Sequence, residues 1–224
     1  MPKTGIFLQA RLGSTRLPGK ALLKLEGKAI ITHAMEALNG TAADIRVLLT
    51  DYQSLEKISP YAEACGFEVF AGSADDVLDR YLKAAEKYSV DTIIRATGDN
   101  PLVDGRAADL IRQSHEAAAA DYSGFDNMPL GTGVEVLETT ALETAAAESD
   151  DPYDHEHVSP YLYKNPGRYR INRINAPAGL CLPGSSVTVD TESDYLRLKK
   201  LYADLYRGCP LLIEEIIPWL RNSG

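Results

Sequence analysis

Short apolar runs alternate along the chain with longer stretches in which apolar positions recur every three or four residues. Gly5 to Ala10 reads as a buried strand and Ile30 to Leu38 as a helix. Ile45 to Leu49 is the next strand. Leu55 to Cys65 carries helical spacing and stops at Gly66, a residue type that readily terminates helices. Phe67 to Phe70 is another strand. Asp75 and Asp76 then open a helix that runs through Tyr88, their charge suiting the positive end of the helix dipole. Asp91 to Ala96 is a strand, followed by a loop from Thr97 to Val103 and an alanine-rich helix to about Ala119.

This β-α-β-α rhythm predicts an α/β protein with a mostly parallel sheet covered by helices on both faces. Ligands of such sheets bind outside the carboxyl ends of the strands, so candidate residues are sought just after strands. The rhythm changes after Asp121. Gly131-Thr132-Gly133 precedes a strand at Val134 to Leu137, and a helix follows from Thr140 to Glu148. Asp150-Asp151-Pro152 is a turn, and Arg168 to Ile174 a strand. Ala176 to Ser186, with two prolines and two glycines, is loop. The alternation of Val187 and Val189 fits a short strand ending at Asp190. Thr191 opens a helix to about Tyr206, with Asp194 three residues on as in a capping box.

A length of 224 residues accommodates one such domain, here taken as 1–224 with a small acceptor or dimerisation region around 121–185. The net charge of -9 argues against a nucleic-acid partner, which requires a positive field to neutralise phosphates. It leaves room for one nucleotide held by a few local arginines. Three cysteines (Cys65, Cys181, Cys209), far apart and without a CxxC pair, point to reduced thiols rather than a disulfide framework or zinc site. No apolar run reaches membrane-spanning length, and Gly5 to Ala10 leads straight into Arg11, unlike a signal peptide. The expectation is a cytoplasmic protein with no membrane partner.

Chemistry concentrates first in Gln9-Ala10-Arg11-Leu12-Gly13-Ser14-Thr15-Arg16-Leu17-Pro18-Gly19-Lys20, directly after the first strand. Three cations fall within ten residues, separated by glycines. Glycine lets backbone fold tightly and offer N–H groups to phosphate oxygens, while arginine and lysine supply countercharge. A Walker loop does not fit: five residues separate Gly13 from Gly19, and Ala21 stands where a hydroxyl residue would hold the metal. Nor is there a GxGxxG fingerprint. The bland alternative is a solvated basic turn, which the position after the first strand disfavours.

The segment from Gln9 to Lys20 closely resembles the signature of the cytidylyltransferases of spore coat polysaccharide biosynthesis, relatives of the synthetases of CMP-3-deoxy-octulosonate and CMP-neuraminate. The resemblance runs almost the whole chain. It implies a Rossmann-like nucleotidyltransferase fold, CTP as substrate and a triphosphate held by Arg11, Arg16 and Lys20, with Ala10, Gly13 and Ser14 lining the nucleotide site. A second matching segment, Asp76-Val77-Leu78-Asp79-Arg80-Tyr81, implies that Arg80 lies near the nucleotide; the alternative is a surface arginine paired with Asp76 one helical turn away.

Metal ligands must come from elsewhere. Asp99, after Gly98 at the end of a buried strand, is well placed for Mg²⁺, which takes few carboxylates and completes its octahedron with phosphate oxygens and water. The resemblance makes Asp99 a ligand and joins Asp190, 91 positions later, to it. Taken alone, either aspartate could simply cap a helix. Asp194 belongs to the helix start. Relatives often carry arginine where Ser186 stands, so the phosphate or substrate grip differs there. For the acceptor, the resemblance points to Glu135, Glu156 and His157. His155 stands where the family usually has arginine and reads as an ordinary polar helix residue. His155 and His157, at i and i+2, share no helix face, against a helical zinc site.

The expected activity is Mg²⁺-dependent transfer of CMP from CTP to a small acidic acceptor, a sugar acid first of all, with release of pyrophosphate. Lys20, Arg11 and Asp99 would be the catalytic residues. No general base stands out, and an acceptor already ionised at its attacking oxygen needs none. Competing readings are another NTP, a phosphonate acceptor, or a catalytically silent nucleotide-binding domain. A glycosyltransferase is disfavoured because no Asp-x-Asp motif ends a strand. Relatives also imply a homodimer, for which tyrosine-rich or apolar patches near the C terminus could serve.

Overall fold

A computed structural model describes residues 2–222 of the chain. Seven strands build the main sheet: β1 (Thr4–Gln9), β4 (Ile45–Asp51), β5 (Glu68–Gly72), β6 (Thr92–Thr97), β7 (Tyr122–Asp126), β8 (Glu135–Glu138) and β9 (Ile171–Asn175). Their order across the sheet is β5-β4-β1-β6-β8-β7-β9. Strands β1, β4, β5 and β6 pair in parallel, as do β7 and β9, whereas β8 runs antiparallel to both neighbours. A separate two-stranded hairpin, β2 (Lys24–Leu25) with β3 (Lys28–Ala29), follows the first loop.

Alternation along the strands sends side chains into two cores. Ile6, Leu8, Leu48 and Ile94 face helices α1 (Ile30–Leu38), α2 (Leu55–Ala64) and α4 (Gly105–Ala118). Phe7, Val47, Leu49 and Ile93 face α3 (Val77–Tyr88), α5 (Thr139–Glu148) and the short α7 (Pro160–Lys164). A third cluster joins the hairpin to α8 (Glu192–Leu205) and α9 (Ile213–Asn222), with Val187 and Val189 fully buried between them. Helix α6 (Pro152–His157) lies between α5 and α7 in sequence; Asp151 caps it, accepting from the Tyr153 amide at 2.9 Å. No helix among the described residues is long and apolar enough to cross a membrane.

The expected mostly parallel sheet with helices on both faces is present. Val187 to Asp190 is not a strand: among the described residues the adjoining ladder contact is an isolated bridge between Leu130 and Ser186. Its alternation reflects burial of Val187 and Val189 under α8 rather than sheet pairing. A Ser123–His115–Glu138 chain of side chains (2.8 and 3.0 Å) has the order of a nucleophile, base and acid. Ser123 is fully buried, however, and the chain serves to tie α4 to β7 and β8.

Candidate active site

The loop after β1 is fastened at both ends. At its start, the Leu12 amide donates to Ser54 Oγ at 2.9 Å, and Ser54 donates from its amide and hydroxyl to the two oxygens of buried Asp51, at the end of β4. At its finish, the Gly19 amide reaches back to the Leu12 carbonyl at 3.1 Å. Gly19 does so with φ of 67°, in the left-handed region that favours glycine. A single 3-10 turn from Lys20 to Leu22 follows, anchored by buried Ala21. The loop is therefore held as an arch after β1, with Arg11, Arg16 and Lys20 on the wall of one cleft. Gly13 has nothing within 4 Å of where a Cβ would stand, so its contribution is open space beside the backbone.

Strand β6 delivers Asp99 to the same place. The Gly98 amide donates to the Gln9 carbonyl at 2.8 Å, and a Cβ on Gly98 would come within 2.9 Å of the Ala10 Cβ. Glycine at 98 thus lets the ends of β6 and β1 close up, which sets Asp99 against the loop. Asp190 arrives from the start of α8. There Thr191 and Asp194 form a full capping box, and Asp194 also accepts from the Asp190 amide. The cap consumes Asp194 and leaves the Asp190 carboxylate to face the cleft.

Lys20 brings the two carboxylates together. Its Nζ lies 2.6 Å from Asp99 Oδ2, 2.9 Å from Asp190 Oδ1 and 2.8 Å from the Val189 carbonyl, with the side chain only 11% exposed. Burial acts to lower the pKa of this lysine, but the pull of Asp99 and Asp190 more than offsets it and holds the ammonium above its ordinary value. Arg16 adds a 3.1 Å contact to Asp190, and Arg11 pairs with Glu156 at 3.1 Å. All three loop cations are therefore balanced by carboxylates, which explains how an acidic protein carries a concentrated positive site.

These groups line one cleft of about 340 Å³ at the carboxyl edge of β1 and β6. Ala10, Arg11, Gly13, Ser14, Arg16 and Lys20 form one side of it. Asp99, Asp190 and Arg80 are also on its wall, as are Glu156 and His157 from α6. Arg80 is not a surface residue paired with Asp76. It is 2% exposed, its guanidinium donates to the Ser73 carbonyl at 2.8 Å, and its Nε has no protein partner. Burial lowers its pKa. Asp76 instead caps α3, accepting from the Asp79 amide at 2.9 Å. The ring of His157 packs on Tyr153, centroids 4.3 Å apart.

Glu135 lies elsewhere. It lines an adjoining cavity of about 290 Å³ that shares Thr97 with the cleft. There it accepts from Arg95 at 2.6 Å, from Tyr122 at 3.0 Å and from Ser159 at 3.0 Å. Burial would lower the pKa of Arg95, and the charge of Glu135 reverses that, raising it. Burial, then Glu135, pushes Tyr122 up. Ser186 is not on the cleft wall; its hydroxyl meets Thr188 at 3.0 Å and its carbonyl accepts from Arg197. Gln9 and Thr97, paired in register as the last residues of β1 and β6, also line the cleft. Sequence reasoning did not single them out, although the strand-end rule points to them.

Asp99 and Asp190 suit a hard divalent cation. Their oxygens both lie within 2.9 Å of a single nitrogen, and oxygen donors without thiolate or imidazole favour Mg²⁺ or Mn²⁺ over zinc. No cluster of three or more His, Cys, Asp or Glu residues suited to a metal occurs among the described residues. Two carboxylates leave most of an octahedron for phosphate oxygens and water, as Mg²⁺ at nucleotides requires.

The model of a protein family described as cytidylyltransferase matches residues 6–208. The spore coat polysaccharide biosynthesis protein SpsF of Bacillus subtilis is 33% identical, covering 97% of this chain and 93% of its own. Among solved structures, a cytidylyltransferase from Leptospira borgpetersenii superposes with a TM-score of 0.90 at 29% identity, covering 100% of this chain and 95% of that one. CMP:2-keto-3-deoxy-manno-octonic acid synthetase, solved with CTP, shares the fold at a TM-score of 0.67 and 19% identity, over 90% of this chain and 99% of its own.

Proposed function

Because the chain belongs to the cytidylyltransferase family, we propose that it transfers CMP from CTP to a small acidic acceptor, a sugar acid in the first instance, and releases pyrophosphate in a Mg²⁺-dependent reaction. The observation that carries this reading is the convergence of Lys20, Asp99 and Asp190 beneath the arch of the first loop. The likeness to SpsF supports an acceptor used in polysaccharide precursor synthesis, and the neighbour solved with CTP supports the nucleotide.

The triphosphate lies along the loop, its charge taken up by Arg11, Arg16 and Lys20 as they exchange their carboxylate partners for phosphate oxygens. Arg80, with its unpaired Nε, forms the wall beneath the nucleoside. Asp99 and Asp190 would hold a divalent cation, which when bound would neutralise phosphate charge and polarise the α-phosphoryl group. The acceptor occupies the adjoining cavity with Glu135, reaching the cleft beside Thr97. Its attacking oxygen forms a bond to the α-phosphorus as the bond to pyrophosphate breaks. Charge gathers on the leaving group, where Arg11, Arg16 and Lys20 stabilise it by position rather than covalent chemistry. An acceptor ionised at the attacking oxygen needs no base; a hydroxyl acceptor would yield its proton toward Glu156 or His157 on the cleft wall. The segment 121–185 supplies the acceptor side and the surface of a homodimer.

A pyrophosphate-release screen tests the reading: four NTPs, each with Mg²⁺, against a panel of sugar acids and phosphonates. CTP with at least one sugar acid should give turnover. Preference for another NTP, or CTP binding without turnover on any acceptor, overturns it.

A further inference from the structure

Two helices remote in sequence pack together and both contribute to the cleft wall. The start of α3 contributes Val77 and Arg80, and α6 contributes Glu156 and His157. A polar chain joins them. His155 Nδ1 lies 2.9 Å from Asp76 Oδ2, and its Nε2 lies 2.7 Å from the Ser149 carbonyl. Both partners only accept, so the imidazole satisfies them together only when both nitrogens carry protons. Asp76 uses its other oxygen, Oδ1, to cap α3. Its amide donates to the Ser73 hydroxyl oxygen at 2.9 Å, and the Ser73 carbonyl in turn accepts from the Arg80 guanidinium at 2.8 Å.

We propose that His155 is a positioning residue for nucleotide binding: through Asp76, the α3 cap and Ser73 it fixes Arg80 relative to the α6 wall, so that both walls are set before the nucleotide arrives. This rests on the reading of the cleft as the CTP site. His155 itself does not line the cleft and is not offered as a catalytic residue. The charged groups around it are acidic: Asp76 ahead of α3, Asp150 in the turn before α6, and Asp154 within α6, the last shared with Lys164 of α7 at 2.9 Å. The hydrogen bond to Asp76, then that to the Ser149 carbonyl, raises the His155 pKa above the ordinary histidine value. The doubly bonded link is therefore complete below that ordinary value and is lost as pH rises through the raised one.

The test measures the CTP dissociation constant by calorimetry at fixed Mg²⁺ from about pH 6 to pH 9 for the wild type, His155→Leu and His155→Arg. Arginine keeps several donors and a charge that does not titrate. The wild type should lose about tenfold in affinity, relative to His155→Arg, across the histidine titration. His155→Leu should be about tenfold weaker than wild type at low pH, and His155→Arg should match it there. Titration of the CTP phosphates is common to all three and cancels in the ratios. Identical profiles for wild type and His155→Leu, or failure of His155→Arg to restore affinity with unchanged thermal unfolding, overturn the proposal alone. Absence of CTP binding in all three sinks the underlying site reading as well. If His155→Leu does not fold, the comparison of wild type with His155→Arg decides.

Discussion

Replacing Lys20 by Met removes a cation from between two carboxylates while keeping most of the side chain's length and apolar bulk. The structure sets the size of the effect. Two unit charges about 3 Å apart attract by roughly 5 kcal/mol at an effective dielectric of 20. Asp99 and Asp190 are 33% and 35% exposed, so solvent screening brings each pair down toward the surface value. We take about 1 kcal/mol per pair, near 2 kcal/mol in all. A divalent cation that binds these carboxylates must displace the ammonium, so its absence should tighten Mn²⁺ binding without nucleotide by roughly thirtyfold. The same variant should lose turnover by about a hundredfold or more, since the charge that stabilises the leaving phosphates is gone. The two changes have opposite signs. Titration calorimetry with Mn²⁺ alone reads the first, and pyrophosphate release reads the second. Unchanged or weaker Mn²⁺ binding in Lys20→Met would refute the placement of the cation between Asp99 and Asp190.

Asp99→Asn and Asp190→Asn should each lower kcat/KM by roughly a thousandfold while circular dichroism and Tm stay near wild type, because both side chains face the cleft rather than the core. Glu135→Gln leaves the guanidinium of Arg95 without its countercharge and should cost about 3 kcal/mol, or roughly 6–12 °C in Tm by calorimetry. By contrast, Glu156→Gln breaks only the half-exposed pair with Arg11 and should cost under about 1 kcal/mol. Gly105→Ala would drive a Cβ to 2.4 Å from the Ala37 carbonyl oxygen, where α1 ends against the start of α4. Overpacking against backbone should destabilise by about 3 kcal/mol, seen as a lowered urea midpoint.

Much of the first half was legible because its central strands are largely buried and its helices amphipathic, so periodicity and burial agree. Ile6 to Leu8 and Ile93 to Ile94 could hardly be anything but central strands. Beyond Asp121 local pattern and tertiary role diverge. Tyr122 to Asp126 contains Ser, Gly and Asp yet is a strand, because its backbone pairs with β8 on one side and β9 on the other and the buried Ser123 hydroxyl is bonded to His115 and Asn172. Val187 and Val189 mimic a strand by packing under α8. The helices α6 and α7 are too short to display a period, and the Asp151-Pro152 start read only as a turn. At the site, the loop after β1 and the end of β6 marked Lys20 and Asp99, and the family resemblance joined Asp190 to them; the structure brings the three into contact. What spacing alone could not convey was depth. By helical spacing alone Arg80 reads as a surface partner of Asp76, the alternative to the cleft position that the resemblance implies; α3 turns it inward onto the cleft wall, and Asp76 is drawn to His155, which is distant in sequence.

The reversal of β8 carries a consequence for how such an enzyme can diversify. Running against its neighbours, it presents its first residue, Glu135, at the edge where β6 presents its last ones. The connection 127–134, from the end of β7 to the start of β8, therefore hangs over the second cavity, with Met128, Pro129, Leu130 and Gly131 on its lining. None of those residues borders the first cleft. Lineages could rewrite that short cassette, and with it the lining of the second cavity, while the first cleft is inherited intact.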